Sequence, residues 1–196
     1  MSELVIGVIT CSTRPTRVGP TIASWVVEQT LGRSGARYVA IDLADQDLPL
    51  LDEPEPASSG NYAQEHTRRW AGVIEPLDGF VFVTPEYNRG LPGALKNALD
   101  FLYAEWNTKA AGLVVYGSSG GLRVAEQLKS VLGELQVVTV RPQVSISIYD
   151  DMVDFTDLDL RDFQAGNAAT MLDHVERYAA ALKTLRTERT SSSSTS

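Results

Sequence analysis

Apolar positions along the chain alternate between short continuous runs and longer stretches with helical spacing. "LVIGVIT" (4–10) is continuous and rich in β-branched residues, the pattern of a strand covered on both faces. "ARYVAIDL" (36–43), "GFVFVT" (79–84) and "AGLVVYG" (111–117) read the same way. "VVTVRPQVSISIY" (137–149) contains a fifth strand, interrupted or edged by Pro142. Between them, "TIASWVVEQTLG" (21–32) sets Ile22, Trp25, Val26 and Gln29 with Leu31 near one face, and Pro20 suits a first helical turn. Further helices are expected at about 62–76, 91–103, 121–135 and 163–187. Five strands with helices between them predict an α/β fold of three layers, a parallel sheet covered on both faces through right-handed crossovers.

The chain of 196 residues is long enough for one domain with a full core, here taken as 1–187. The polar, proline-rich "DQDLPLLDEPEPASSGN" (45–61) reads as a connector or lid, and the Ser/Thr-rich tail 188–196 as disordered. A net charge of -8 argues against a broad nucleic-acid footprint. The single cysteine, Cys11, excludes an intrachain disulfide and a multi-cysteine metal site. His66 and His174 lack zinc-ligand spacing. "MSELVIGVIT" carries neither a basic leader nor a spanning apolar stretch, so no signal peptide and no membrane segment are expected, and the cytoplasm is the default location.

Ligands of open parallel sheets collect beyond the carboxyl ends of the strands, and three of those ends carry unusual chemistry. The first strand leads into "CSTRPTRVGP" (11–20), where Ser12, Thr13, Arg14, Arg17 and the start of the next helix all favour one anion, such as a phosphate. The alternative is a capped helix with two solvated arginines. Neither G-x-G-x-x-G nor G-x-x-x-x-G-K-[ST] is present. The third strand ends in "TPEYNRGLPG", where Pro85 stiffens the exit and Glu86, Tyr87 and Asn88 offer donors and dipoles to a flat heteroaromatic ring. A rigid strand-to-helix turn explains the same residues. The fourth ends in "YGSSGGLRVAEQL", in which Gly117, Gly120 and Gly121 permit close backbone approach and Ser118 and Ser119 add donors. One anion site beside two ring-binding loops describes a pocket for flavin mononucleotide.

"STRPTRVG", "PEYNRGLPGALKNALDFLYAEW" and "YGSSGG", in this order and spacing, resemble the NADPH-dependent FMN reductase family of the flavodoxin-like superfamily. The likeness spans about residues 4 to 182. It implies a flavodoxin-like sheet in the order 2-1-3-4-5, non-covalent FMN, and homodimers that often pair into homotetramers. By the same likeness Ser12, Thr13, Arg14 and Arg17 would hold the FMN phosphate. Pro85, Glu86, Tyr87 and Asn88 would contact the ribityl chain and isoalloxazine, and Gly117, Ser118, Ser119, Gly120 and Gly121 would line the ring's other edge. Cys11 departs from the glycine common at that position in the family.

The expected activity is hydride transfer from NADPH or NADH to bound FMN, then two electrons to an acceptor, with no side chain as acid or base. First among acceptors stands flavin reduction that supplies a partner monooxygenase. Quinone or azo-compound reduction with prosthetic FMN follows, then a flavodoxin-type electron carrier without direct NADPH turnover. Trp106 and Tyr103 in "DFLYAEW" suit both core and dimer interface. In "HTRRW" (66–70), Trp70 reads as core and the charges as surface, with an NADPH-phosphate contact as the sharper alternative.

Overall fold

β1 (Leu4–Thr10), β2 (Ala36–Asp42), β3 (Gly79–Pro85) and β4 (Lys109–Gly117) form a parallel sheet in the order β2-β1-β3-β4. Every residue of β3 is buried, as its unbroken apolar run requires. The fifth position is shared by two short strands. β5 (Val137–Thr139) pairs with the start of β4 and β6 (Val144–Ser147) with its end, both in parallel. Pro142 lies in the gap, where its missing N–H takes nothing from the ladder. The computed structural model describes residues 3–193, with side chains to 188.

Five α-helices complete the layers: α1 (Gly19–Glu28), α2 (Glu65–Ile74), α3 (Gly93–Asp100), α4 (Leu122–Glu134) and α5 (Phe163–Ser193). α1 buries Ile22, Ala23 and Val26, and α5 buries Met171, Leu172 and Val175, against the face carrying Val8, Val81 and Val114. The opposite face packs Phe80, Phe82 and Leu113 against Trp70 and Ile74 of α2, Leu95 and Leu99 of α3, and Leu128 and Leu132 of α4. The flavodoxin-like sheet order and three layers are thus the predicted ones. α5 runs on to Ser193, across ground expected to be unstructured, and 194–196 lie outside the described residues.

The structure decides between two readings of one residue and adds one element to the sequence reading. Trp106 is only 1% exposed and packs edge-on to Phe80, with ring centroids 5.1 Å apart, while its indole N–H donates to the Leu99 carbonyl. Its aromatic surface is spent inside its own subunit, which removes it as an interface candidate. Between β6 and α5 stands a small antiparallel hairpin, β7 (Met152–Val153) with β8 (Asp157–Leu158), that the apolar pattern does not announce. Asp151 at its base is fully buried. It accepts from the Ser147 N–H at 2.8 Å and takes both Nε and Nη2 of Arg161 at 2.9 and 2.8 Å. Burial works against its ionisation, but Arg161 and these backbone N–H bonds outweigh it and hold the carboxyl below its ordinary range.

Emptying the Trp106 site leaves a cavity against Trp70, Phe80 and Phe82 that rigid neighbours cannot fill. Trp106→Ala is expected to lower unfolding free energy by about 3–5 kcal/mol, measured as the urea midpoint at constant slope. A loss below ~1 kcal/mol would place the indole at the surface.

Candidate cofactor site

Because every strand of the main sheet is parallel, their carboxyl ends share one edge. Three segments meet there and are bonded to one another. The Tyr116 hydroxyl at the end of β4 donates to Ser12 Oγ at 3.2 Å, which ties the first loop to the fourth strand. The Glu86 N–H donates to the Tyr116 carbonyl at 2.8 Å, which ties the third loop to the same residue. The Ile148 N–H reaches the Gly117 carbonyl at 3.2 Å and adds the segment after β6. Tyr116 therefore joins loops that are far apart in sequence. Burial pushes its phenol well above the usual tyrosine range, so it remains a hydrogen-bond donor at neutral pH. The sequence reading missed Tyr116; its one signal was its place beside Gly117 at a strand terminus.

In the first loop Thr13 and Arg14 are exposed, whereas Ser12 is buried beneath them. Gly19, the first residue of α1, lets the helix close onto this floor: a Cβ there would overlap Ser12 Oγ and lie 2.9 Å from the Tyr116 hydroxyl. The N-terminus of α1 has no side-chain cap, so its leading N–H groups are left for a ligand. Arg17 is half committed. Its Nη2 meets Asp42 Oδ2 at 2.6 Å, while its buried Nε has no partner. An uncapped helix start, hydroxyls and an orphaned guanidinium nitrogen suit a phosphate dianion. Cys11 lies outside this chemistry. Its side chain packs into the core on the α2–α4 side, its thiol donates to the Ile9 carbonyl, and burial pushes its pKa well up.

A second helix start on the same edge is already filled. Glu86 Oε2 accepts from the Arg123 and Val124 N–H groups at 3.0 and 3.4 Å, and Oε1 pairs with Arg123 Nη1 at 2.8 Å. Burial raises the carboxyl's pKa, but the Arg123 bonds outweigh it and hold it below its ordinary value. The Glu86 side chain therefore caps α4, so any contact of this residue with a cofactor falls to its backbone. Pro85 is buried as the last residue of β3 and belongs to the frame as well. Tyr87 and Asn88 stand exposed beyond them.

Tyr87 to Gly90 form a tight turn, closed by N–H···O bonds in both directions at 3.1 and 2.9 Å. Asn88 and Arg89 hold φ of +50° and +68°, the signature of a type I′ turn. On the other side, Ser118 and Ser119 form an exposed tip between Gly117 and Gly120. Gly121 then starts α4 at φ +69°, where a Cβ would lie 2.7 Å from the Tyr116 nitrogen. Arg68 and Arg69, the sharper alternative for a dinucleotide phosphate, are occupied: Arg68 donates to the Tyr62 and Ala63 carbonyls, and Arg69 pairs with Glu65. A concavity of about 650 Å³ lies at the opposite end of the sheet, lined by Glu3, Leu4, Gly35 and Lys183. Its lysine is consumed by Asp78 and the Glu3 carbonyl, so that end offers a ligand little.

Comparison with known proteins decides the family. The NADPH-dependent FMN reductase family matches over residues 4–151. The chain belongs to that family. It is accordingly an oxidoreductase whose cofactors are FMN and NAD(P)H. A NAD(P)H-dependent FMN reductase of Schizosaccharomyces pombe is 43% identical over 160 residues, covering 76% of this chain and 80% of that protein. A quinone reductase of Escherichia coli is 33% identical over 115 residues, 55% of this chain and 60% of the other. In fold, the chain resembles a flavoenzyme NAD(P)H:(acceptor) oxidoreductase from Paracoccus denitrificans, with TM-score 0.71, 22% identity and coverage of 91% and 98%.

The clamp on α4 has a defined pH dependence. Glu86 has a folded pKa below its unfolded value, so its contribution is present above about pH 4.3 and is lost as pH falls through the lower folded value. Glu86→Gln is expected to cost about 1–2 kcal/mol at pH 7 in urea unfolding. The gap between the two proteins should close below about pH 4. A gap that is constant across that range would deny the carboxylate its capping charge.

Proposed function

We propose that the first loop holds the FMN phosphate and that the ring lies between the turn at Tyr87–Asn88 and the loop Gly117–Gly121. The observation that carries this reading is an open helix start set among donor side chains, beside another start on the same edge that is sealed. α4 is sealed by Glu86, whereas α1 is uncapped and surrounded by Ser12, Thr13, Arg14 and Arg17. A dianion is drawn to the open start, whereas at α4 the leading N–H groups are already taken by the Glu86 carboxylate. When bound, the flavin supplies two-electron chemistry between a nicotinamide and an acceptor. The chain's own part is to grip the phosphate, fix the ring plane through the Tyr116-linked loops, and present backbone donors from Gly117–Gly121 to the ring edge.

The acceptor proposed is a small molecule that reaches the face vacated by the nicotinamide. The reductase kinship to S. pombe and E. coli proteins supports this, with reduced flavin delivered to a monooxygenase and direct quinone or azo reduction as its two forms. Retention of flavin through gel filtration marks the second, loss marks the first. A homodimer or homotetramer belongs to the same proposal. With Trp106 internal, its support moves to Leu50 and Leu51, exposed and fastened to α3 because Asn97 bonds Pro49 and Leu51. A cytoplasmic setting is proposed with it; no described helix is long and apolar enough to cross a membrane.

Purified protein titrated anaerobically with NADPH should lose its flavin absorbance, and an unchanged spectrum with both NADPH and NADH would defeat the proposal. Arg14→Ala should weaken FMN binding by about 10- to 100-fold, one charge-assisted bond, in a fluorescence-quenching titration. Equal affinity of the two proteins would remove Arg14 from the phosphate site.

A further inference from the structure

We propose that the turn Tyr87–Gly90 carries a second anion subsite, in which Arg89 binds a phosphate of the nicotinamide dinucleotide. This deepens the flavin reading and rests on it. A type I′ turn asks for a left-handed backbone at both central residues, and asparagine followed by glycine meets that demand best. Here asparagine is followed by arginine, at φ +68°. A long side chain is thus carried at a position where its absence would relax the backbone, and strain of that kind gathers at ligand-binding sites.

The turn is held in place from two sides. Gln127 of α4 donates through Nε2 to the Arg89 carbonyl at 2.8 Å, and Glu86, just before the turn, is bonded to the first residues of the same helix. Arg89 therefore projects from a rigid arch rather than a loose loop. Its side chain is exposed, and no carboxylate among the described residues lies within ion-pair distance of it. Arg17, Arg33, Arg37, Arg69, Arg123, Arg161 and Arg186 have acidic partners, whereas Arg89, like Arg14 of the first loop and like Arg68, Arg141 and Arg177, has none among the described residues. Arg123 stands on the neighbouring first turn of α4 and balances Glu86, so that acid does not cancel the charge of Arg89.

Position selects the ligand. The open start of α1 and Arg14 lie after β1, while Arg89 lies after β3, on the side facing α4. With the flavin phosphate at the first, the second stands open to a separate anion. The reductant of this family carries such groups: a pyrophosphate in NADH and NADPH alike, and a 2′-phosphate in NADPH alone. A guanidinium recognises either by the same charge-assisted hydrogen bonds.

Arg89→Gly is the informative variant, because glycine removes the guanidinium and suits the turn. It should melt no lower than the parent protein and retain its flavin absorbance. With a quinone as acceptor, kcat/KM for NADPH should fall by about tenfold, through KM rather than kcat, and Arg89→Lys should recover part of the loss. A fall confined to NADPH assigns the 2′-phosphate; an equal fall with NADH assigns the pyrophosphate. Unchanged kcat/KM for both coenzymes in a flavin-loaded variant overturns the proposal. Calorimetric titration with NADP+ and NAD+ keeps the test separate from turnover. If the parent protein binds no flavin, the flavin reading has failed, and equal affinity of parent and variant for both nucleotides then rejects the subsite too.

Discussion

The carboxylate of Glu86 bound across the first turn of α4 is the constraint on which the working edge depends. It joins the end of β3 to a helix that follows β4, and so fixes two loops relative to each other. It also takes the positive start of α4 out of use for a ligand. A neutral residue at 86 would leave that start open to an anion as well. The clamp gives direction to the site as well as rigidity. Tyr116 completes the frame from below, with its carbonyl on the Glu86 N–H and its hydroxyl on Ser12.

The sheet was legible because its evidence is periodic. Continuous apolar runs at 4–10 and 79–84 have one physical explanation, burial on both faces, and the structure shows it. The break at Pro142 was legible for a related reason, since a residue without N–H leaves a visible mark on a ladder. The site was legible as a set of loops, though not as a set of roles. A glutamate at a strand end reads alike whether it meets a ligand or a helix start, and only the position of α4 separates the two. Tyr116 closed a buried floor through a partner more than a hundred residues away, which no local pattern reports.

The hairpin β7–β8 shows the limit from another side. Its turn places Asp154 and Phe155 at φ +50° and +60° with no glycine present, so the usual turn signal is missing. What holds it is Asp151, buried and engaged by Arg161 and the backbone, together with Met152 sunk into the core. Tertiary contacts supply what local preference lacks. The family match ends at residue 151, where this hairpin begins.

The two ends of the sheet divide stability from function. At the amino ends Asp78 is nearly buried and accepts from Lys183, Arg186 and the Val5 N–H, while Lys109 donates to the Ile74 and Glu75 carbonyls. Burial, with Arg186 adding repulsion, pushes the Lys109 amine down to about 7. Its proton is still within reach of neutral pH, and two carbonyls at the end of α2 receive its hydrogen bonds. Charges there are matched to one another, which pins α5 and α2 to the sheet and leaves no group in want of a ligand. At the carboxyl ends the matching is incomplete. Arg17 keeps an unpartnered nitrogen, α1 keeps its free N–H groups, and Arg89 is held in a strained turn. Unsatisfied groups lower stability wherever they occur, so they persist where a bound molecule satisfies them. The proposed cofactor site draws on that contrast, with charges paired at one end of the sheet and donors left open at the other.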